Sequence, residues 1–175
     1  MDIDGNNPHQ LTNGGNEWYP DCSPDGLWVA YVNGYGKRRL WKVSIDGGEP
    51  VQMNDQTSAL PAISPDGKWV ASTYFDQPER LKTAIYPFAG GEQIKVFDVW
   101  NFYKRWTPDS RALAYIDPHN ISAITIQPIE GGSPKLLTDF KTGQLFRFAW
   151  SRDGNWLALV RGTVKNDVVL ISDIK

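Results

Sequence analysis

Short apolar runs opened by a polar turn recur along the chain: "LWVAYV" at 27–32, "KWVAST" at 68–73, "RALAYI" at 111–116 and "NWLALV" at 155–160. Each is too short for a helix and rich in β-branched and aromatic residues, which predicts strands. Apolar residues fall on both faces of these runs, so such strands have to be covered on both sides. Another short strand precedes each turn, as in "LPAI" (60–63) and "LFRFAW" (145–150), and the pair predicts an antiparallel hairpin.

The turn itself is a repeat. "SPDGLWVAY" (23–31) returns as "SPDGKWVAS" (64–72), "TPDSRALAY" (107–115) and "SRDGNWLAL" (151–159), with starts 41, 43 and 44 residues apart. Proline at the second turn position presets φ, the aspartates Asp25, Asp66, Asp109 and Asp153 can accept bonds from nearby amides, and Gly26, Gly67 and Gly154 take the strained position. A second motif, "IDGNNP" (3–8), "IDGGEP" (45–50), "FAGGEQ" (88–93) and "IEGGSP" (129–134), aligns Gly5, Gly47, Gly90 and Gly131 at a matching period. Paired glycines predict a tight two-residue hairpin there.

Two hairpins in series make a four-stranded antiparallel meander, and repetition at this period predicts all-β blades packed face to face in a β-propeller. One blade cannot bury its own faces, which is the physical reason for the repetition. Trp28, Trp69 and Trp156 share one register, with Ala112 in the third copy, and are expected to pack between blades.

"SPDGKWVA" followed by a Gly-Gly motif and "PKLLT" resembles the TolB-type β-propeller repeat, a relative of the WD-repeat blade, over nearly the whole chain. The resemblance implies a fold more than a function. The repeat is shared by periplasmic TolB proteins, by propeller domains of prolyl-oligopeptidase-like enzymes, and by sensor regions of bacterial kinases and transcription regulators. The ending "DVVLISDIK" (167–175) is similar to the tail of propeller-bearing bacterial serine/threonine kinases. The copies depart from the pattern at Ser110, in place of the turn glycine, and at Arg152, in place of proline, which reads as drift in the turns.

As a single propeller segment over 1–175, the chain divides into the orphan end of a preceding blade (1–12, its fourth strand near "PHQLT"), blades at 13–53, 54–97 and 98–138, and a blade at 139–175 lacking its fourth strand. Three closures follow: a four-bladed ring within one chain, an eight-bladed ring of two chains joined head to tail, or an open part whose remaining blades lie upstream of Met1. An exposed strand edge would also invite a partner strand.

Composition narrows the partners. A formal net charge of −2 gives no basic excess, so no nucleic-acid partner is expected. The basic runs Lys37-Arg38-Arg39 and Lys104-Arg105 read as solvated charges. No apolar run approaches a membrane span, and the first residues lack the basic start and apolar stretch of a secretory signal. The expected compartment is therefore cytoplasmic, or extracytoplasmic if the chain belongs to a longer TolB-like or receptor protein. Cys22 is the single cysteine; it aligns with Ile63, Trp106 and Trp150 and is expected to be a small buried hydrophobe.

No catalytic constellation emerges. There is no Gly-x-Ser-x-Gly elbow, His9 and His119 lack metal-ligand spacing, and the four turn aspartates sit one per blade, too far apart to share a calcium ion. No kinase lysine or catalytic loop is present. The expectation is a non-enzymatic scaffold without catalytic, metal or cofactor residues, binding a protein or small ligand at a loop face. That face is expected at Tyr35, Arg38, Tyr74, Phe75, Arg80, Trp100 and Tyr103, because aromatics and arginine dominate interface energetics. The alternatives are the C-terminal sensor region of a larger receptor kinase or transcription regulator and, fitting less well, the accessory propeller of a peptidase.

Overall fold

The computed structural model describes residues 4–77, 80–99 and 103–166. Among them the chain forms strands and no helix, hence none long and apolar enough to cross a membrane. The first sheet comprises β1 (Glu17–Cys22), β2 (Trp28–Asn33), β3 (Arg39–Ser44) and β4 (Val51–Gln52). The second holds β5 (Ser58–Ile63), β6 (Trp69–Gln77), β7 (Arg80–Pro87) and β8 (Lys95–Phe97). The third has β9 (Lys104–Trp106), β10 (Ala112–Asp117), β11 (Asn120–Pro128) and β12 (Lys135–Asp139). In the fourth, β13 (Gln144–Trp150) pairs with β14 (Leu157–Gly162), and the "DVVLISDIK" ending lies outside the described residues. Every pairing is antiparallel between consecutive strands, the blade of a β-propeller.

Both faces of the second strands β6 and β10 are buried because their sheets are sandwiched between neighbours, whereas β14 keeps one face exposed. Ala30, Val32 and Leu40 of blade 1 meet Ile63, Val70 and Tyr86 of blade 2. Ala62, Ala71, Ile85 and Phe97 meet Trp106 and Leu113 of blade 3. Ala114, Ile116 and Ile124 then meet Leu145 and Phe148 of blade 4. At about 2 kcal/mol for each large apolar side chain fully buried, these seams are the main stabilising element of the fold. Polar bonds fix their register: Ile63 N–H donates to Asp21 Oδ2 (2.7 Å) and the Trp106 indole N–H to Ala62 O (2.8 Å). Lys42 Nζ donates to Phe88 O (2.8 Å) while lying 5.1 Å from the Trp28 ring centroid and 4.6 Å from that of Phe88.

The Ser-Pro-Asp-Gly turns form one hydrogen-bonded unit four times over. Ser23 Oγ donates to Asp25 Oδ1 (2.5 Å), which also accepts from the Leu27 amide, and the Trp28 amide donates to Ser23 Oγ. Ser64 with Asp66, Thr107 with Asp109, and Ser151 with Asp153 repeat this set. Gly26, Gly67 and Gly154 sit at φ of 72–74°, and Ser110 keeps the same left-handed conformation at φ 60°. Ser110 is not mere drift: its buried hydroxyl accepts the amide of Asp66 from the neighbouring blade (3.0 Å).

Several expectations are corrected. The Gly-Gly segments are not two-residue hairpins; residues 45–50, 88–94 and 129–134 separate the paired strands. Gly47, Gly90 and Gly131 instead close a turn by donating to Ser44, Pro87 and Pro128 carbonyls, and the outer strand begins several residues later. Residues 8–12 form no strand, since a fourth strand needs a third-strand edge and none of the described residues offers one there. Cys22 is exposed rather than buried, because among the described residues no sheet covers the face of blade 1 that it occupies. Lys104 is buried, not solvated, at 3% exposure. Among the tryptophans Trp69 packs in a seam and Trp28 stacks with Lys42, but Trp156 is 76% exposed.

Candidate functional site

The residues expected at the loop face meet different environments among the described residues. Tyr35 (89% exposed) and Arg38 are exposed in the loop between β2 and β3. Tyr74 packs against the seam between blades 1 and 2, and half-buried Phe75 donates its amide to Thr57 O. Tyr103 carries the Arg147 guanidinium 5.3 Å from its ring centroid. The Arg80 side chain and Trp100 lie outside the described residues.

At the opposite end of the sheets, where each first strand enters its turn, the four blades converge. Residues of all four blades wall one open depression of about 400 Å³. Blade 1 contributes Asp21, blade 2 Ala62 and Ile63, blade 3 Arg105 and Trp106, and blade 4 Ala149, Trp150 and Arg152. The first strands bring them together because β5 packs between β1 and β9, next to the propeller axis.

Its electrostatics are mixed. Half-buried Asp21 has its pKa raised, chiefly by burial, against the opposing pull of the Ile63 amide and the Arg105 cation. Arg105 is exposed and donates from Nη1 to Lys104 O (3.2 Å), and Arg152 is exposed at the turn position that proline fills in the other copies. The Trp106 indole is committed to Ala62 O, whereas the Trp150 indole nitrogen, shut off from solvent, has no acceptor among the described residues. One carboxylate, two guanidiniums and two indoles on a rigid rim can recognise a ligand carrying both an anionic and a donor group.

Asp21 and Arg105 are not among the residues expected to bind, although the sequence carries a signal for them. At the position two residues before each turn motif the four copies read Asp21, Ala62, Arg105 and Ala149, so two opposite charges replace alanine in an otherwise small series. The turn aspartates, by contrast, are absorbed by their own turns. The Thr107 hydroxyl and the Arg111 amide hold Asp109 below the usual carboxylate range, and the Ser64 hydroxyl and Lys68 amide do the same for Asp66 against the upward push of its burial. Among the described residues no three His, Cys, Asp or Glu side chains converge to hold a metal ion. His119 lies in the turn between β10 and β11, its amide on Asp117, and His9 lies by Gly47.

No protein-family model matches the sequence, nor does any curated protein. Solved structures do. TolB from Acinetobacter baumannii is similar at a TM-score of 0.73 and 22% identity, over 94% of this chain and 43% of that one. An oligogalacturonate lyase in complex with manganese is similar at 0.67 and 16% identity, over 88% of this chain and 49% of the lyase. A chain of a nidogen/laminin complex is similar at 0.54 and 19% identity, over 77% and 52%. The chain thus spans about half the length of the solved proteins it matches, and the likeness shows the fold: a TolB-type β-propeller.

Proposed function

We propose that this propeller segment is a non-enzymatic binding module that receives a protein or small ligand in the depression where its four first strands meet. The observation that carries the reading is the rim itself: Asp21, Arg105 and Arg152 come from three blades and surround Trp106 and Trp150. Arginine and tryptophan are the residues that most often dominate binding energy, and a rigid strand scaffold spares much of the ordering entropy of association. The nidogen/laminin neighbour, solved as a complex, is consistent with a propeller used for association. The lyase neighbour is an enzyme on the same fold, so fold alone does not choose between the two uses. The chemistry at the depression favours binding: its one carboxylate faces two guanidiniums, and its Ser151 hydroxyl is donated to Asp153.

A displayed random-peptide library, selected on the wild-type chain and counter-screened on Arg105→Gln and Arg152→Gln, tests the proposal. Trp106 and Trp150 supply a fluorescence signal for each selected peptide. Enriched peptides should quench or shift that emission and lose at least tenfold in affinity on either substitution. Binders indifferent to both substitutions would overturn the assignment.

A further inference from the structure

Blades 1 and 2 pack directly on each other, and the outer end of the seam between them holds a second cavity. β4 ends at Gln52, the chain leaves it as residues 53–57 that lead into β5, and the Gly-Gly loop of blade 2 folds against this segment. Met53 N–H donates to Leu40 O (2.8 Å), which ties the segment to blade 1, and Gly91 N–H donates to Met53 O (3.0 Å), which ties the loop to the segment. Gly90 permits the approach: its φ is 102° and a Cβ there would lie 3.5 Å from Met53 O. The cavity between segment and loop measures about 290 Å³ and shares no wall residue with the axial depression.

Its lining is chemically one-sided. Four primary amides (Gln52, Asn54, Gln56, Gln93) and two carboxylates (Asp55, Glu92) surround it, with no lysine or arginine among the wall residues. Part of that wall is held by its own bonds. Gln52 Nε2 donates to Asn54 O (2.8 Å) and to Asp55 Oδ1 (2.7 Å), so its carbonyl oxygen is what it can still offer. Asn54 accepts the Leu40 amide at Oδ1 (3.0 Å) and donates from Nδ2 to Ser58 Oγ (2.8 Å). Tyr86 also lines the cavity; it is wholly buried, yet its hydroxyl has no hydrogen-bond partner among the described residues. Folded proteins rarely bury a polar group in that state without a use for it. Burial raises the Tyr86 pKa, the nearby Asn54 and Ser58 side chains pulling the other way, so at neutral pH the phenol keeps its proton and is both donor and acceptor.

The classes of ligand meet this wall differently. An anion would face two carboxylates with no cation to offset them. A metal ion would want more acidic, histidine or cysteine ligands, and no three of these converge among the described residues. An ammonium or guanidinium would suit the carboxylates but has no lone pair to accept the Tyr86 proton. A hydroxyl group answers all of them, since it can donate to Asp55, Glu92 and the Gln52 carbonyl and accept from Tyr86 and the Gln56 and Gln93 amides. The volume lies near the lower end of small-molecule sites, roughly 300 Å³, which suits a single sugar ring. We propose that this cavity binds a neutral polyhydroxyl ligand the size of one hexose, with the Tyr86 hydroxyl as the donor that fixes its orientation. The site stands whether or not the axial depression binds a ligand.

Saturation-transfer NMR on the 175-residue chain tests the assignment, with D-glucose, D-galactose and D-mannose as probes and spermidine and citrate as cationic and anionic competitors. At least one hexose should receive saturation, and neither ion should displace it. Tyr86→Phe keeps the ring in the seam and removes a hydroxyl that bonds to nothing in the protein. Its thermal midpoint should therefore equal or exceed that of the wild type, while hexose affinity falls about fivefold or more, the loss of one hydrogen bond. Glu92→Ala, at an exposed position, should weaken hexose binding by a similar factor with the midpoint unchanged. Saturation of none of the three hexoses, displacement by spermidine, or a hexose affinity that Tyr86→Phe leaves unchanged would each overturn the proposal. So would a Tyr86→Phe midpoint well below that of the wild type, because the hydroxyl would then already be committed within the fold.

Discussion

Lys104 is the residue whose environment departs furthest from its chemistry. It occupies a position that the other copies fill with Pro20, Pro61 and Phe148, and its Nζ donates to Thr73 Oγ1 (3.1 Å) across the seam between blades 2 and 3. Burial, helped by the Arg105 cation, lowers its pKa to about 7. Because the folded value lies below the unfolded one, the unfolded chain binds more protons between pH 7 and the unfolded lysine value. Stability should therefore rise with pH across that window, by at most about 1.4 kcal/mol per unit, and the full cost of the buried cation is felt below pH 7. Lys104→Met should add about 1–3 kcal/mol at pH 7 and abolish this slope, as read by urea denaturation at pH 6.5, 8 and 9.5. Ser110 presents the opposite case, local strain retained for a bond. Ser110→Ala keeps the left-handed backbone and strands the Asp66 amide, costing about 1 kcal/mol, whereas Ser110→Gly relieves the strain and should come out near neutral.

At the scale of the element, the turn unit explains why the Ser/Thr-x-Asp pattern outlasts its neighbours. Proline is lost in one copy and glycine in another, yet each copy retains a hydroxyl, and an aspartate that accepts both that hydroxyl and an amide. Asp109 has a folded pKa below its unfolded value, so its contribution is present above the unfolded value and is lost as pH falls through the folded one. Asp109→Asn should lower the thermal midpoint at pH 7 and flatten its decline between pH 5 and pH 2, since that proton uptake has been removed. The Gly-Gly segments teach the reverse lesson. Paired glycines signalled a reversal correctly, but their loop is long because the outer strand pairs with the third only from Val51, Lys95 and Lys135 onward, with Ile94 already bonded to Ile85 O.

Across the whole molecule, stability and recognition meet at Asp21, which ties blade 1 to blade 2 while facing the axial depression. Its pKa is raised, so the folded protein holds that proton more tightly than the unfolded chain, and stability falls as pH rises through the interval between the two values. Asp21→Asn keeps an acceptor for the Ile63 amide and removes the half-buried charge. It should leave stability at pH 7 unchanged or raised by up to about 1 kcal/mol, and should strengthen binding of anionic peptides by leaving Arg105 and Arg152 unopposed. Asp21→Ala leaves the Ile63 amide without its acceptor and should cost about 1 kcal/mol. Calorimetry of both variants, with anisotropy titrations of the selected peptides, separates the structural role of the carboxylate from its role in recognition.

The strands, their antiparallel order and the blade period were legible in the sequence because they rest on local chemistry: turn residues at fixed offsets and apolar residues on both faces of short runs. The rim charges Asp21 and Arg105 interrupt a series otherwise made of alanine, yet neither was expected to bind, because the series shows its meaning only once the first strands are seen side by side. Which faces would be covered was another matter. Trp69 and Trp156 share a register, yet one is packed and the other bare, because burial depends on whether a sheet stands beside the residue. Cys22 and Lys104 depart from expectation for the same reason, each exchanging the environment its residue type suggests for the one its neighbouring sheets impose. Residues far apart in sequence were gathered into the axial depression by the stacking of whole sheets, a long-range arrangement to which no local pattern is sensitive.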